Sequence, residues 1–151
     1  MHNEATRRIL VVDDQVNWRE ALVSLLSIEE RVIRAAANFE EASEEISKQT
    51  YDLIVLDVRL VNNDVFNVQG LELLQLAKSQ PSAPKVIVIT GYPESIREGV
   101  IAKYGGDALV LKVPPGSRFD SQGFQALVQR LLTASVSDHS SESQGVETGE
   151  L

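Results

Sequence analysis

Apolar positions in this 151-residue chain follow two alternating patterns. Ile9-Leu10-Val11-Val12 is a short, wholly apolar run flanked by charge. It is too short for a helix and reads as a strand covered on both faces, the habit of parallel sheets. Behind it, Trp18, Ala21, Leu22, Leu25 and Leu26 recur at helical spacing, with Asn17 as the predicted N-cap. Residues 31–37 read as a weaker strand. Asn38 with Glu41 three positions later forms a capping-box pair opening a helix through Lys48. Leu53-Ile54-Val55-Leu56 and Val86-Ile87-Val88-Ile89 repeat the continuous apolar pattern. Between them, residues 70–79 predict a helix with Leu71, Leu74 and Leu76 to bury. A helix over residues 94–103 carries Gly99 inside it, and residues 108–111 form a last strand. Phe124, Leu127, Val128, Leu131 and Leu132 then pattern a final helix.

Five strands alternating with five helices predict one α/β domain over residues 7–132. The continuous apolar strands imply a doubly wound parallel sheet with helices on both faces, joined by right-handed crossovers. Residues 133–151 differ in kind. They hold Asp138, Glu142, Glu147 and Glu150, no Lys or Arg, and almost no bulky apolar side chain. Such a segment cannot offset its ordering entropy by burial, so it is expected to be a disordered acidic tail or linker.

Composition narrows the chemistry. With no cysteine, the chain offers no disulfide, thiol nucleophile or thiolate metal site. Its two histidines, His2 and His139, lie near opposite ends, which argues against a histidine-based triad or zinc cluster. A formal charge of −8 argues against direct nucleic-acid binding, which needs Lys and Arg to neutralise phosphates. No apolar run approaches the ~20 residues of a membrane span, and Arg7-Arg8 before only four apolar residues is not a signal peptide. A cytoplasmic location with no membrane insertion is the expectation.

The residues that follow the strands carry the functional signal. The first strand runs into Asp13-Asp14, the third into Asp57, the fourth into Thr90 and the fifth into Lys112. Open α/β sheets bind ligands at the carboxyl ends of their strands, so the fold delivers these side chains to one edge. Each alone has a plain explanation: a helix cap, a loop turn, a strand exit, a solvated rim charge. Together they do not. Two carboxylates ~4 Å apart repel by ~4 kcal/mol at an effective dielectric of 20, so three at one edge call for cationic partners. Lys112 supplies one charge. A divalent ion bound through oxygen supplies the rest, and Mg²⁺ suits a donor set without His or Cys. A carboxylate beside Mg²⁺ and an ammonium is a nucleophile poised for phosphoryl transfer, and Thr90 adds a hydroxyl donor.

In these residues the chain resembles the receiver domain of two-component response regulators, of the chemotaxis-regulator kind, over residues 7–132. That family places an acidic pair after the first strand, a phospho-accepting Asp after the third, Thr or Ser after the fourth and Lys after the fifth. Asp13-Asp14, Asp57, Thr90 and Lys112 match it in order. The resemblance implies a flavodoxin-like sheet of order 2-1-3-4-5. It implies that Asp57 accepts a phosphoryl group from a partner histidine kinase or phosphotransfer protein and later loses it by self-dephosphorylation. Asp13, Asp14, Asp57 and the backbone carbonyl of Arg59 would hold Mg²⁺, while Thr90 and Lys112 would bind the acyl phosphate. Output would pass to a protein target through the face made by the predicted fourth helix, fifth strand and fifth helix, and a homodimer is compatible with it. The chain would be a switch and not a turnover enzyme.

Four features depart from the family's common form. Leu109 replaces an aromatic residue three before the lysine, and Val113 separates Lys112 from Pro114-Pro115. Residues 61–69 look like a short insertion in which Asp64 or Phe66 could overhang the site. Arg59 and Tyr92 are bulky where hydrolysis is tuned, which predicts a shielded, longer-lived phosphoryl group. Two other readings compete: a pseudo-receiver that is never phosphorylated, and a haloacid-dehalogenase-like phosphatase. The second would need an acid two residues after the nucleophile, where Arg59 cannot protonate a leaving group.

Overall fold

The computed structural model describes residues 6–28, 30–57, 69–91, 102–103, 105–112 and 118–144, with the backbone alone at 69 and 134–144. Five strands form one sheet: β1 (Arg7–Val12), β2 (Arg31–Ala36), β3 (Leu53–Asp57), β4 (Lys85–Thr90) and β5 (Ala108–Leu111). Their order is β2-β1-β3-β4-β5 and every neighbouring pair is parallel. Four helices are described: α1 (Val16–Leu26), α2 (Phe39–Lys48), α3 (Gln69–Lys78) and α4 (Ser121–Gln144). The helix expected over residues 94–103 falls outside the described residues except for Ala102 and Lys103, which are helical.

Strand pleating explains why the apolar runs are unbroken. Leu10, Val12, Ile54, Leu56, Val86 and Val88 point to one face and meet Ala42 and Ile46 of α2 and Leu73, Leu74 and Ala77 of α3. The alternate residues, Ile9, Val11, Leu53, Val55, Ile87 and Ile89, meet Leu22 and Leu26 of α1 and Phe124 and Val128 of α4. With both faces covered, each strand position is worth an apolar side chain, ~1.5–3 kcal/mol when a Leu or Ile is fully buried. Leu109 on β5 packs against the first of these layers as a core leucine.

Local signals held unevenly. Asn38 caps α2 by accepting from the Glu41 N–H at 2.8 Å, while Glu41 Oε1 reaches back to the Ala37 N–H at 2.8 Å. For α1 the expected Asn17 cap is corrected: the helix starts at Val16 and Gln15 holds the cap position without a side-chain bond. Asp13 causes the earlier start, because its Oδ1 accepts from the Gln15 N–H at 2.9 Å and closes a turn ahead of the helix. Asp120 opens α4 by accepting from the Gly123 N–H at 2.9 Å. That helix then runs to Gln144, into the segment expected to be disordered. No Gly or Pro lies between Phe124 and Gln144, so nothing in that stretch interrupts a helix nucleated on the core. No helix among the described residues is long and apolar enough to cross a membrane.

Candidate functional site

The strand order places the reversal of chain direction between β1 and β3, since the chain leaves β1 for β2 on one side and returns to β3 on the other. Crevices form there, outside the carboxyl ends of the strands. Register then sets which residues share the crevice. Val12 pairs with Leu56, Asp57 with Ile89, and Thr90 with Leu111, so Asp13, Asp57, Thr90 and Lys112 emerge at one edge. These four are the buried polar or charged side chains among the described residues, none more than 5% exposed. Among the described residues the fully buried charged side chains are thus concentrated at this one edge.

Three carboxylates converge there. Asp13, Asp14 and Asp57 each offer an oxygen lying within 4.8 Å of the others. Lys112 Nζ stands 2.9 Å from Asp13 Oδ2 and 3.2 Å from Asp57 Oδ2, and donates to Gln15 Oε1 at 2.8 Å. The ammonium thus makes hydrogen bonds to Gln15 and Asp57 and an ion pair with Asp13, whose Oδ2 is buried without a hydrogen-bond partner. The lysine is fixed from behind as well, its backbone N–H donating to the Thr90 carbonyl at 2.8 Å. Arg19 donates to the Asp13 carbonyl at 2.8 Å, tying α1 to the same corner.

One ammonium does not neutralise three carboxylates. Asp14 shows the imbalance: its Oδ1 is buried without a hydrogen-bond partner. Burial first, and then the charge of Asp13, push its carboxyl above the ordinary value, against the opposing pull of Lys112, its own backbone N–H and Arg19. Hard oxygen donors, surplus negative charge and an orphaned buried carboxylate oxygen fit a small divalent cation.

The expected site residues Asp13, Asp14, Asp57, Thr90 and Lys112 are thus brought together. Arg59, Asp64, Phe66, Tyr92 and Val113 with the two prolines lie outside the described residues, as does the insertion expected over 61–69 apart from Gln69, which opens α3. Two neighbours were not anticipated. Gln15 binds the lysine, and Trp18 sets its ring 5.3 Å beneath the same ammonium. Both sit within one helical turn of Asp14, the only hint the sequence carried.

Residues 9–117 match the family model of the response regulator receiver domain. Among curated proteins, the transcriptional regulatory protein LnrK of Bacillus subtilis (strain 168) is 33% identical over 108 residues, covering 70% of this chain and 46% of LnrK. The regulatory protein VirG of Agrobacterium fabrum is 27% identical over 118 residues, covering 78% of this chain and 44% of VirG. The chain therefore spans less than half the length of these relatives. Among solved structures, response regulator TrrA of Thermotoga maritima, in complex with Mg²⁺ and BeF, is 28% identical with a TM-score of 0.67, covering 83% of this chain and 99% of that one. A CheY-like receiver domain protein of Methanospirillum hungatei superimposes with a TM-score of 0.73 at 24% identity, covering 88% and 98% of the two chains.

Proposed function

This chain belongs to the response regulator receiver domain family, and from that premise we propose that it is a phospho-accepting switch with Asp57 as the acceptor. A carboxylate oxygen of Asp57 attacks the phosphorus of a phosphohistidine on a partner kinase or phosphotransfer protein. The P–O bond forms as the P–N bond breaks, and the imidazole leaves with the bonding pair. The product is an acyl phosphate on Asp57.

The residues around Asp57 have separable tasks. Lys112, already 3.2 Å from Asp57 Oδ2, orients the carboxylate and offers positive charge to the incoming phosphoryl oxygens. Thr90, buried at the end of β4, would donate its hydroxyl to one of those oxygens. Asp13, Asp14 and Asp57 would hold Mg²⁺, with the Arg59 carbonyl as the further ligand the family implies. When bound, that ion neutralises charge on the transferring group. Arg59 and Tyr92 would shield the product from water. Residues 7–132 would form the receiver unit, working in the cytoplasm and passing its state to a protein target.

What supports this reading above all is the placement of every buried polar or charged side chain among the described residues at one strand edge, where acid outnumbers base. Intact mass after incubation with Mg²⁺ and acetyl phosphate tests it. One phosphoryl adduct on the wild type and none on Asp57→Ala is the expected result. No adduct on the wild type would leave an interaction module that is never phosphorylated.

A further inference from the structure

Lys112 touches more than the acidic cluster. Its ammonium rests over the face of Trp18, 5.3 Å from the ring centroid, while hydrogen-bonded to Gln15 and Asp57 and ion-paired with Asp13. The edge of Trp18 meets Phe119 at 85° with centroids 5.3 Å apart, and Phe119 meets Phe124 at 5.6 Å. Phe119 and Phe124 in turn line the seam between β5 and α4, together with Leu111 and Leu127. An unbroken aromatic line therefore runs from the acidic edge to the seam between β5 and α4. β5 itself contains no aromatic residue that could serve instead.

We infer that Trp18 is the positioning residue for Lys112 and that Trp18, Phe119 and Phe124 relay the lysine's position to the β5–α4 seam. The inference rests on the assignment of Asp57 as acceptor. A phosphoryl group there adds ~1.5–2 negative charges. The ammonium hydrogen-bonds Gln15 and Asp57 and is ion-paired with Asp13, so turning toward the new charge loosens at least one of these contacts and shifts Lys112 over the indole face. An ammonium held over an indole is attracted to it, so the ring and the charge move as a coupled pair. Protein interiors are close-packed, so a displaced indole displaces the ring wedged against its edge.

Trp18 is the sole tryptophan of the chain, so its emission reports this one position. The test combines three readouts on the same sample, the full chain with Mg²⁺ and acetyl phosphate: intact mass, tryptophan emission, and backbone amide shifts of Leu111, Phe124 and Leu127. In the wild type, adduct formation should be accompanied by a change in emission and by shifts at all three amides. In Phe119→Leu the adduct and the emission change should persist, while the shifts at Phe124 and Leu127 are lost. Phe119→Met provides the same comparison should the leucine variant not fold. An adduct without an emission change, or amide shifts that survive both substitutions, overturns the relay and leaves the acceptor assignment standing. No adduct on the wild type removes both.

Discussion

At the scale of single residues, Tyr51 carries a polar hydroxyl into the interior away from the acidic edge. Its hydroxyl donates to Glu45 Oε1 at 2.5 Å, and Arg8 lies over its ring at 5.6 Å. Burial first, then the Glu45 hydrogen bond and charge, push its pKa from 10.0 up to about 12. The folded state thus keeps the Tyr51 proton where the unfolded chain loses it. Stability from this group is complete below pH 10 and is lost as pH rises towards 12. Urea midpoints recorded across that window should fall in the wild type and fall less in Tyr51→Phe. At neutral pH the same variant should be weaker by ~1 kcal/mol for the lost hydrogen bond. Asp14 presents the opposite situation, an acid disfavoured by its surroundings. Asp14→Asn should raise the metal-free melting temperature, the gain in stability being a fraction of the ~4 kcal/mol two charges exchange at ~4 Å, since Asp14 is partly exposed. Calorimetry on the same variant should show weakened Mg²⁺ binding.

At the scale of elements, the sequence disclosed what depends on neighbours along the chain and hid what depends on neighbours in space. Asp13, Asp57, Thr90 and Lys112 were legible because apolar runs stop at them, and the end of a buried strand is where a doubly wound sheet presents ligands. Gln15 was not, because its bond to Lys112 joins residues 97 positions apart and depends on how α1 lies against β5. The α1 cap was misplaced by two residues because the Asp13 side chain starts the turn, a bond that competes with the Asn17 signal. One close approach also left its mark on sequence. Gly105 has φ +96°, and a Cβ there would lie 2.9 Å from Lys78 Cγ. That lysine bonds the Pro84 carbonyl at 2.6 Å and Asp107 Oδ2 at 2.9 Å, tying the end of α3 to the starts of β4 and β5. Gly105→Ala should therefore cost ~1–3 kcal/mol. Thermal denaturation checks this, with Lys78→Met as the control that removes the clamp without the backbone strain.

At the scale of the whole molecule, the fold supplies an acidic site that is incomplete on its own electrostatic terms. A net charge of −8 adds a general field that attracts cations to the edge. Binding that occurs only in the folded state stabilises by mass action, ~2.7 kcal/mol at a hundredfold excess over Kd. Mg²⁺ should accordingly raise the melting temperature of the wild type, and the rise should vanish in Asp13→Asn combined with Asp14→Asn. On the proposed assignment of Asp57, the same logic links metal and acceptor chemistry, because surplus negative charge at the edge repels an incoming phosphoryl group unless a cation offsets it. The most direct measurement is therefore the extent of phosphoryl transfer from acetyl phosphate to the wild type, followed by intact mass across a Mg²⁺ titration that ends in chelator. The account predicts one adduct that rises with Mg²⁺ and is absent in chelator. An adduct of equal extent without divalent cation, or none at saturating Mg²⁺, would contradict it.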